Sequence, residues 1–196
     1  MYRSVLLLCS CALLAAEPAS AQPWTRGNHL YLGYVNGLEF FAGGDEFDYE
    51  PAYVFAGQIG YVFGQWRAEG ELAYEDTTFD NANDNDFDLE VIRLGASVFY
   101  DMPPLTAVGG ASPYAGGGIG IANVAVAATA NDNDFEEDAT VFTFHGETGI
   151  SFNVASRVAI TPHYRFEWFD SGGQKIGTID KDFYAHTLRI AARVSF

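Results

Sequence analysis

The 196 residues carry 26 Asp and Glu against 10 Lys and Arg, a formal charge of -16 at pH 7, so the basic clusters that neutralise nucleic-acid phosphates have no source here. Hydrophobic residues make up 48% and aromatics 15%, yet beyond the first 21 residues no stretch approaches the ~20 consecutive apolar residues of a membrane helix. A soluble domain and a β-barrel are the classes that remain.

Residues 1–21 read as a secretory signal peptide to be cleaved on export. Arg3 supplies the basic start, 5–16 is an apolar run too short to span a bilayer, and Ala19-Ser20-Ala21 is a small-x-small cleavage site before Gln22. Both cysteines, Cys9 and Cys11, fall inside it, which leaves residues 22–196 without a thiol for an oxidising compartment. Acylation at Cys11, as in a lipoprotein, is the alternative reading of this segment. The 22–196 portion is expected to form one domain.

From there the recurring signal is a period of two. Arg67, Glu69, Glu71 and Glu75 alternate with Ala68, Gly70, Leu72 and Tyr74, and Arg93, Gly95 and Ser97 alternate with Ile92, Leu94, Ala96, Val98 and Tyr100. His145, Glu147 and Ser151 oppose Phe144, Ile150 and Phe152. Farther on, His163, Arg165 and Glu167 oppose Tyr164, Phe166 and Trp168, and Arg189 and Arg193 oppose Leu188, Ile190, Val194 and Phe196. Such alternation marks strands with one apolar and one charged face. The segments 28–38, 52–63, 66–76, 88–101, 113–126, 139–152, 156–169 and 183–196 are the predicted strands, an even number, and no helical period competes with them. Glycine in the first, second and fifth, as in Gly116-Gly117-Gly118-Ile119-Gly120, leaves their facing open and suits the bends of a small barrel.

The connections alternate too. Acidic stretches at 39–50, 77–87, 127–138 and 170–182 follow the odd-numbered strands. Gly64-Gln65, the 102–112 segment with its Pro103-Pro104 pair, and 153–155 follow the even ones. Long loops at one rim and short turns at the other predict an all-β fold, an eight-stranded antiparallel up-and-down transmembrane β-barrel. A lipocalin-like barrel would carry its apolar face inside. Aromatics gather toward both strand ends, with Tyr61, Phe63, Trp66, Tyr100, Phe152 and Phe196 at one rim and Tyr53, Tyr74, Phe142, Trp168 and Tyr184 at the other, as bilayer interfaces select.

Three stretches carry a family likeness: Pro113-Tyr114-Ala115-Gly116-Gly117-Gly118-Ile119-Gly120, His163-Tyr164-Arg165-Phe166-Glu167-Trp168-Phe169, and Ala192-Arg193-Val194-Ser195-Phe196. With them the chain resembles the small eight-stranded outer-membrane barrel proteins of the OmpA and OmpX type, a porin-like family, over all of 22–196. The resemblance implies a Gram-negative outer membrane and a surrounding of outer-membrane lipid and lipopolysaccharide. It also implies that Phe196 is the signal read by the barrel assembly machinery.

An eight-stranded barrel is just wide enough for its own side chains. Arg67, Glu69, Glu71, Arg93, Glu147, Arg165, Glu167, Arg189 and Arg193 are therefore expected to fill the lumen as mutual ion pairs, a polar plug in a monomer with a structural or surface-contact role. The alternative is a narrow gated ion channel in which Arg165 exchanges between Glu69 and Glu71. A second alternative is a lipid A-modifying enzyme. His145 and His163 share the inward phase, His29 is the remaining histidine, and His186 alone has the outward phase near the outer rim, with no serine at a convincing partner position; no catalytic residue is assigned.

The phrase Ala-Asn-Asp-Asn-Asp-Phe occurs at 82–87 and again at 130–135, in the second and third acidic loops. The carboxylates of Asp80, Asp84, Asp86, Asp88, Asp132 and Asp134 are hard ligands suited to calcium, the one cofactor the chain suggests, but they lack the EF-hand spacing. The plainer reading is a solvated acidic rim, open to an external ligand that the sequence does not name.

Overall fold

The computed structural model describes residues 27–42, 48–49, 51–80, 86–105, 111–130, 133–170, 172 and 183–196. Among them run β1 (His29–Ala42), β2 (Asp48–Tyr49), β3 (Ala52–Phe63), β4 (Trp66–Asp80), β5 (Asp86–Asp101), β6 (Ser112–Ala130), β7 (Asn133–Ala155), β8 (Val158–Asp170) and β9 (Phe183–Ser195). The eight long strands pair antiparallel in the order β4-β3-β1-β9-β8-β7-β6-β5, and β5 pairs back onto β4, which closes the barrel. The two-residue β2 adds to the upper end of β4 through Asp48↔Asp80 and Tyr49↔Phe79.

Alternation along each strand becomes inside and outside. β3 reads buried-exposed without a break from Ala52 to Phe63, because successive side chains leave a pleated strand on opposite faces. The polarity is inverted relative to a water-soluble core. Arg67 and Arg193 are 0% exposed, whereas Leu188 is 60% and Ile119 62% exposed. The exposed apolar belt is bounded by Tyr53 and Phe63 on β3 and by Tyr74 and Trp66 on β4, close to the ~9–11 residues a tilted strand needs to cross a bilayer. Beyond it, at the end carrying the longer connections, the outward positions turn polar at Asp76, Glu90, Asn123, Thr140 and Asp170.

The turns lie at the opposite end. Gly64 takes a left-handed φ of 68°, which lets Gly64-Gln65 reverse the chain in two residues. Ser156-Arg157 does the same after β7, beyond the 153–155 turn expected from sequence, and the ladder carries a register shift between Asn153 and Ala155. The longer 102–111 link is pinned by a bridge between Leu105 and Ala111.

Much of what the sequence presents as acidic loop is strand. β4 continues to Asp80, β5 starts at Asp86, and only 131–132 separate β6 from β7. With 23 residues, β7 is about twice as long as a membrane crossing requires, so the β6–β7 hairpin stands well above the belt. Asp and Asn disfavour strands by composition, but a ladder already in register keeps pairing past the interface, and cross-strand context outweighs propensity. The repeated phrase also acquires a place. Phe87 of β5 and Phe135 of β7 both pair with Ala128 of β6, so the closing residues of the two copies flank one strand at one level.

The facing of β9 yields a direct test. Leu188→Arg or Ile190→Arg should each lower folding stability in lipid vesicles by about 2–4 kcal/mol, and Thr140→Arg at the polar boundary by about 0–1. Denaturant titration reads both, and unchanged stability of the two β9 variants would overturn the outward assignment.

Candidate functional site: a charged lumen beneath an apolar cap

The inward residues stack in three tiers. Nearest the turns, β4 places Arg67 and Glu69 two residues apart, hence on one face, with Nη1 of Arg67 2.8 Å from Oε2 of Glu69. Tyr31 of β1 donates its hydroxyl to the same carboxylate oxygen, and Arg193 of β9 approaches it at 3.3 Å. Asp101 lies 3.4 Å from Nε of Arg67. The Arg67 guanidinium rests on the rings of Phe99 and Tyr114, 4.3 and 4.6 Å from their centroids, a cation–π seat within a dry interior. Gly60 is required here, since a Cβ at that position would collide with the Tyr31 ring.

The middle tier is organised by Glu71 and Arg165. Nη1 of Arg165 reaches Oε1 of Glu71 at 2.6 Å, while its Nε and Nη2 grip Oε2 of Glu147 at 3.0 and 2.8 Å. Glu147 is Arg165's register partner on β7, whereas Glu71 lies on the opposite wall, so the guanidinium spans the lumen. Glu71 also accepts from Arg189 at 3.0 Å and from the Gln58 amide nitrogen at 2.9 Å. Tyr114 donates to Glu147 at 2.7 Å. Above them Arg93 joins two walls, 2.5 Å from Glu75 on β4 and 2.5 Å from Glu167 on β8. Thr187 donates to Glu39 at 2.7 Å.

All nine charged residues expected in the lumen are brought together there. Of the two partners expected for Arg165, Glu71 is met, while Glu69 is held by Arg67 and Arg193. The lumen also recruits residues outside that set: Tyr31, Glu39, Gln58, Glu75, Asp101 and Tyr114. Glu75 shares the charged phase of its strand and was legible from it. Tyr31, on a strand whose facing was open, and Asp101, at a strand's end, were not. Among the described residues seven buried carboxylates, Glu39, Glu69, Glu71, Glu75, Asp101, Glu147 and Glu167, face five buried guanidiniums. His163 and His145 stand beside them, 3.9 Å from Glu147 and 4.0 Å from Glu167.

Ser97 Oγ lies 2.8 Å from His145 Nε2, so serine, imidazole and the Glu167 carboxylate follow in the order of a nucleophile, a base and its orienting acid. The 4.0 Å from His145 to Glu167 exceeds a hydrogen bond, and Arg93 holds that carboxylate instead. Gly118 packs so closely over the pair that a Cβ there would stand 2.6 Å from Ser97 Oγ and 2.8 Å from His145 Cε1. The cluster is therefore dense packing with its serine buried.

The upper tier departs from a uniformly polar lumen. Phe41, Ala52, Leu89, Val91, Ala122, Val124, Val126, Val141, Phe169, Phe183 and Ala185 form one buried apolar cluster at the long-connection end. Phe169 and Phe183 stack at 4.5 Å with 9° between their planes, and Phe41 leans on both at 6.2 and 6.0 Å. The ion pairs lie beneath this apolar cluster.

Of the remaining expectations, Phe196 is exposed and its N–H donates to the carbonyl of Leu30 at 3.0 Å, which fastens the end of the sheet to β1. Asp80, Asp86, Asp88 and Asp134 belong to the paired ends of β4, β5 and β7, while Asp84, Asp132 and the 1–21 signal segment lie outside the described residues.

The family model for the outer membrane protein beta-barrel domain matches residues 6–196. Among solved structures, the chain is similar to Neisserial surface protein A (19% identity, TM-score 0.53, covering 86% of this chain and 97% of that one). It is also similar to Ail, the attachment invasion locus protein of Yersinia pestis (16%, 0.51, 86% and 97%). A major outer membrane protein from Thermus thermophilus has a TM-score of 0.56 at 10% identity, covering 85% and 99%. No curated protein sequence matches. A closed barrel with a charged interior, an aromatic-bounded apolar exterior and this match over nearly its whole length belongs to the outer-membrane β-barrel proteins, and the chain is a member of that family, seated in the Gram-negative outer membrane.

Proposed function

We propose that the protein is a monomeric, closed barrel with a structural and surface-contact role, not a conduit and not an enzyme, and that its biological contacts are made by the acidic rim above the membrane. The observation that carries this reading is the apolar cap. A guanidinium–carboxylate lattice alone could open by exchanging partners, but an ion leaving it toward the outside would have to cross the packed rings of Phe41, Phe169 and Phe183, and a hydrophobic constriction excludes water. Below the cap, partner exchange is itself opposed, because each buried charge would pass through an unpaired state. Lipopolysaccharide and outer-membrane lipid surround the belt, and Phe196 serves recognition by the barrel assembly machinery. Calcium held between the acidic hairpins would be an accessory to the rim.

In planar bilayers the purified protein should show no unitary conductance, and steady single-channel steps would sink the closed-lumen reading. Glu71→Gln removes the carboxylate that holds Arg165 and Arg189, so it should cost about 3–5 kcal/mol in a denaturant titration, as expected for breaking a buried ion pair from one side. Loss below about 1 kcal/mol would mean that the lumen is hydrated and screened. Deletion of Phe196 should reduce assembly in cells far more than refolding in detergent, and equal losses in the two settings would point to packing against β1 instead.

A further inference from the structure

Outward residues of a membrane-spanning strand meet hydrocarbon, where an unpaired polar group is costly. On that face of β8 and β9 stand Tyr164 and His186, with the Tyr164 hydroxyl 2.6 Å from His186 Nδ1. His186 pairs in register with Phe166 and with Phe40. One outward step above is the Trp168–Tyr184 pair, and one more is Asp170 at the polar boundary. The pair thus lies just under the outer aromatic rung, at the depth where ester and amide carbonyls join acyl chains to their head groups. Phe166, Tyr184 and Tyr164 surround the imidazole at ring distances of 5.3, 5.8 and 6.0 Å.

Counting protons shows what this pair offers. Neutral imidazole carries one N–H and the phenol one O–H. Their mutual hydrogen bond consumes one of the two, so one donor is left over whichever nitrogen is protonated. Immediately below, a groove of about 980 Å³ begins at Tyr164 and follows the wall past Leu38, Leu188, Ile190, Pro162 and Ile150. Its volume is at the upper end of the ~300–1,000 Å³ common for small-molecule sites. A donor at carbonyl depth above an apolar groove fits a ligand with an acceptor oxygen at the head of a hydrocarbon chain.

We propose that the groove and the Tyr164–His186 pair seat one acyl chain of an outer-leaflet lipopolysaccharide, the chain lying in the groove and its ester or amide carbonyl accepting the spare hydrogen bond. The site faces the outer leaflet because it stands at the external end of the belt. It deepens the lipid contact proposed above and is independent of whether the lumen conducts.

The protein, labelled with nitrogen-15 at histidine, would be placed in nanodiscs of diether phosphatidylcholine, of diester phosphatidylcholine, and of diester lipid with added lipid A. The His186 Nε2 resonance should move on addition of lipid A, and in Tyr164→Phe, which keeps the ring and leaves the imidazole N–H as the one donor, the movement should persist. Lipopolysaccharide retained per protein after purification from outer membranes should fall about fivefold in the double variant Tyr164→Phe/His186→Leu, which removes both donors, the equivalent of one hydrogen bond. Heat-modifiable gel migration verifies that both variants are folded. An identical resonance in all three nanodiscs, with unchanged retention, would overturn the site. A shift already complete in diester lipid would replace lipopolysaccharide by phospholipid as the occupant, and one complete in diether lipid would exclude a carbonyl partner.

Discussion

Closure of the sheet is the constraint on which everything else in this molecule rests. Within hydrocarbon no water can take over an unpaired N–H or C=O, so each strand needs neighbours on both sides. The seam that provides them joins β1 to β9, from Tyr31↔Ser195 at the turn end to Ala42↔Tyr184 at the other. These residues lie far apart in the chain, and their pairing removes the two edges. Eight strands then set the diameter, and the interior has room for side chains and little else.

That small radius turns the polar face into a packing problem. Charges stripped of water must find one another, and the barrel brings them together by projecting them from opposing walls. Glu71 on β4 takes Arg165 from β8 and Arg189 from β9, and Arg93 on β5 reaches across to Glu167 on β8 while also holding Glu75 on its neighbour β4. The pairs brace the wall crosswise, at right angles to the hydrogen-bond ladder that runs around it. Such pairs contribute little net stability over apolar packing, but removing one partner is expensive, so the lattice resists change more than it drives folding. Where space runs short glycine gives way, at Gly60 under Tyr31 and at Gly118 against His145. Toward the outside the lattice stops and aromatic rings take over.

The period-two alternation was readable because it is local. Whether a residue faces in or out follows from counting along its own strand, which is why Arg67, Glu69, Glu71, Arg93, Glu147, Arg165, Glu167, Arg189 and Arg193 all arrive in the lumen. The reading failed where composition stood in for pairing. Asp-rich segments such as 86–87 and 133–138 look like loop, yet they are strand because their neighbours hold them in register. The doubled Ala-Asn-Asp-Asn-Asp-Phe phrase gains a placement for its closing residues, Phe87 and Phe135, which flank one strand through the shared pairing at Ala128.

The sequence by itself determined the compartment, the number of long strands and the face taken by the nine charged residues just named, since all three depend on spacings of a few residues. Tertiary structure alone decided the partners. Arg165 meets Glu71 across 94 positions of chain and Tyr31 meets Glu69 across 38, distances over which no local period carries information. It also decided that Ala122, Val124, Val126 and Val141 join three phenylalanines as a lid. Alternation tells which way a side chain points, but the height at which it meets the opposite wall is set by the stagger of the closed barrel, which no single strand contains.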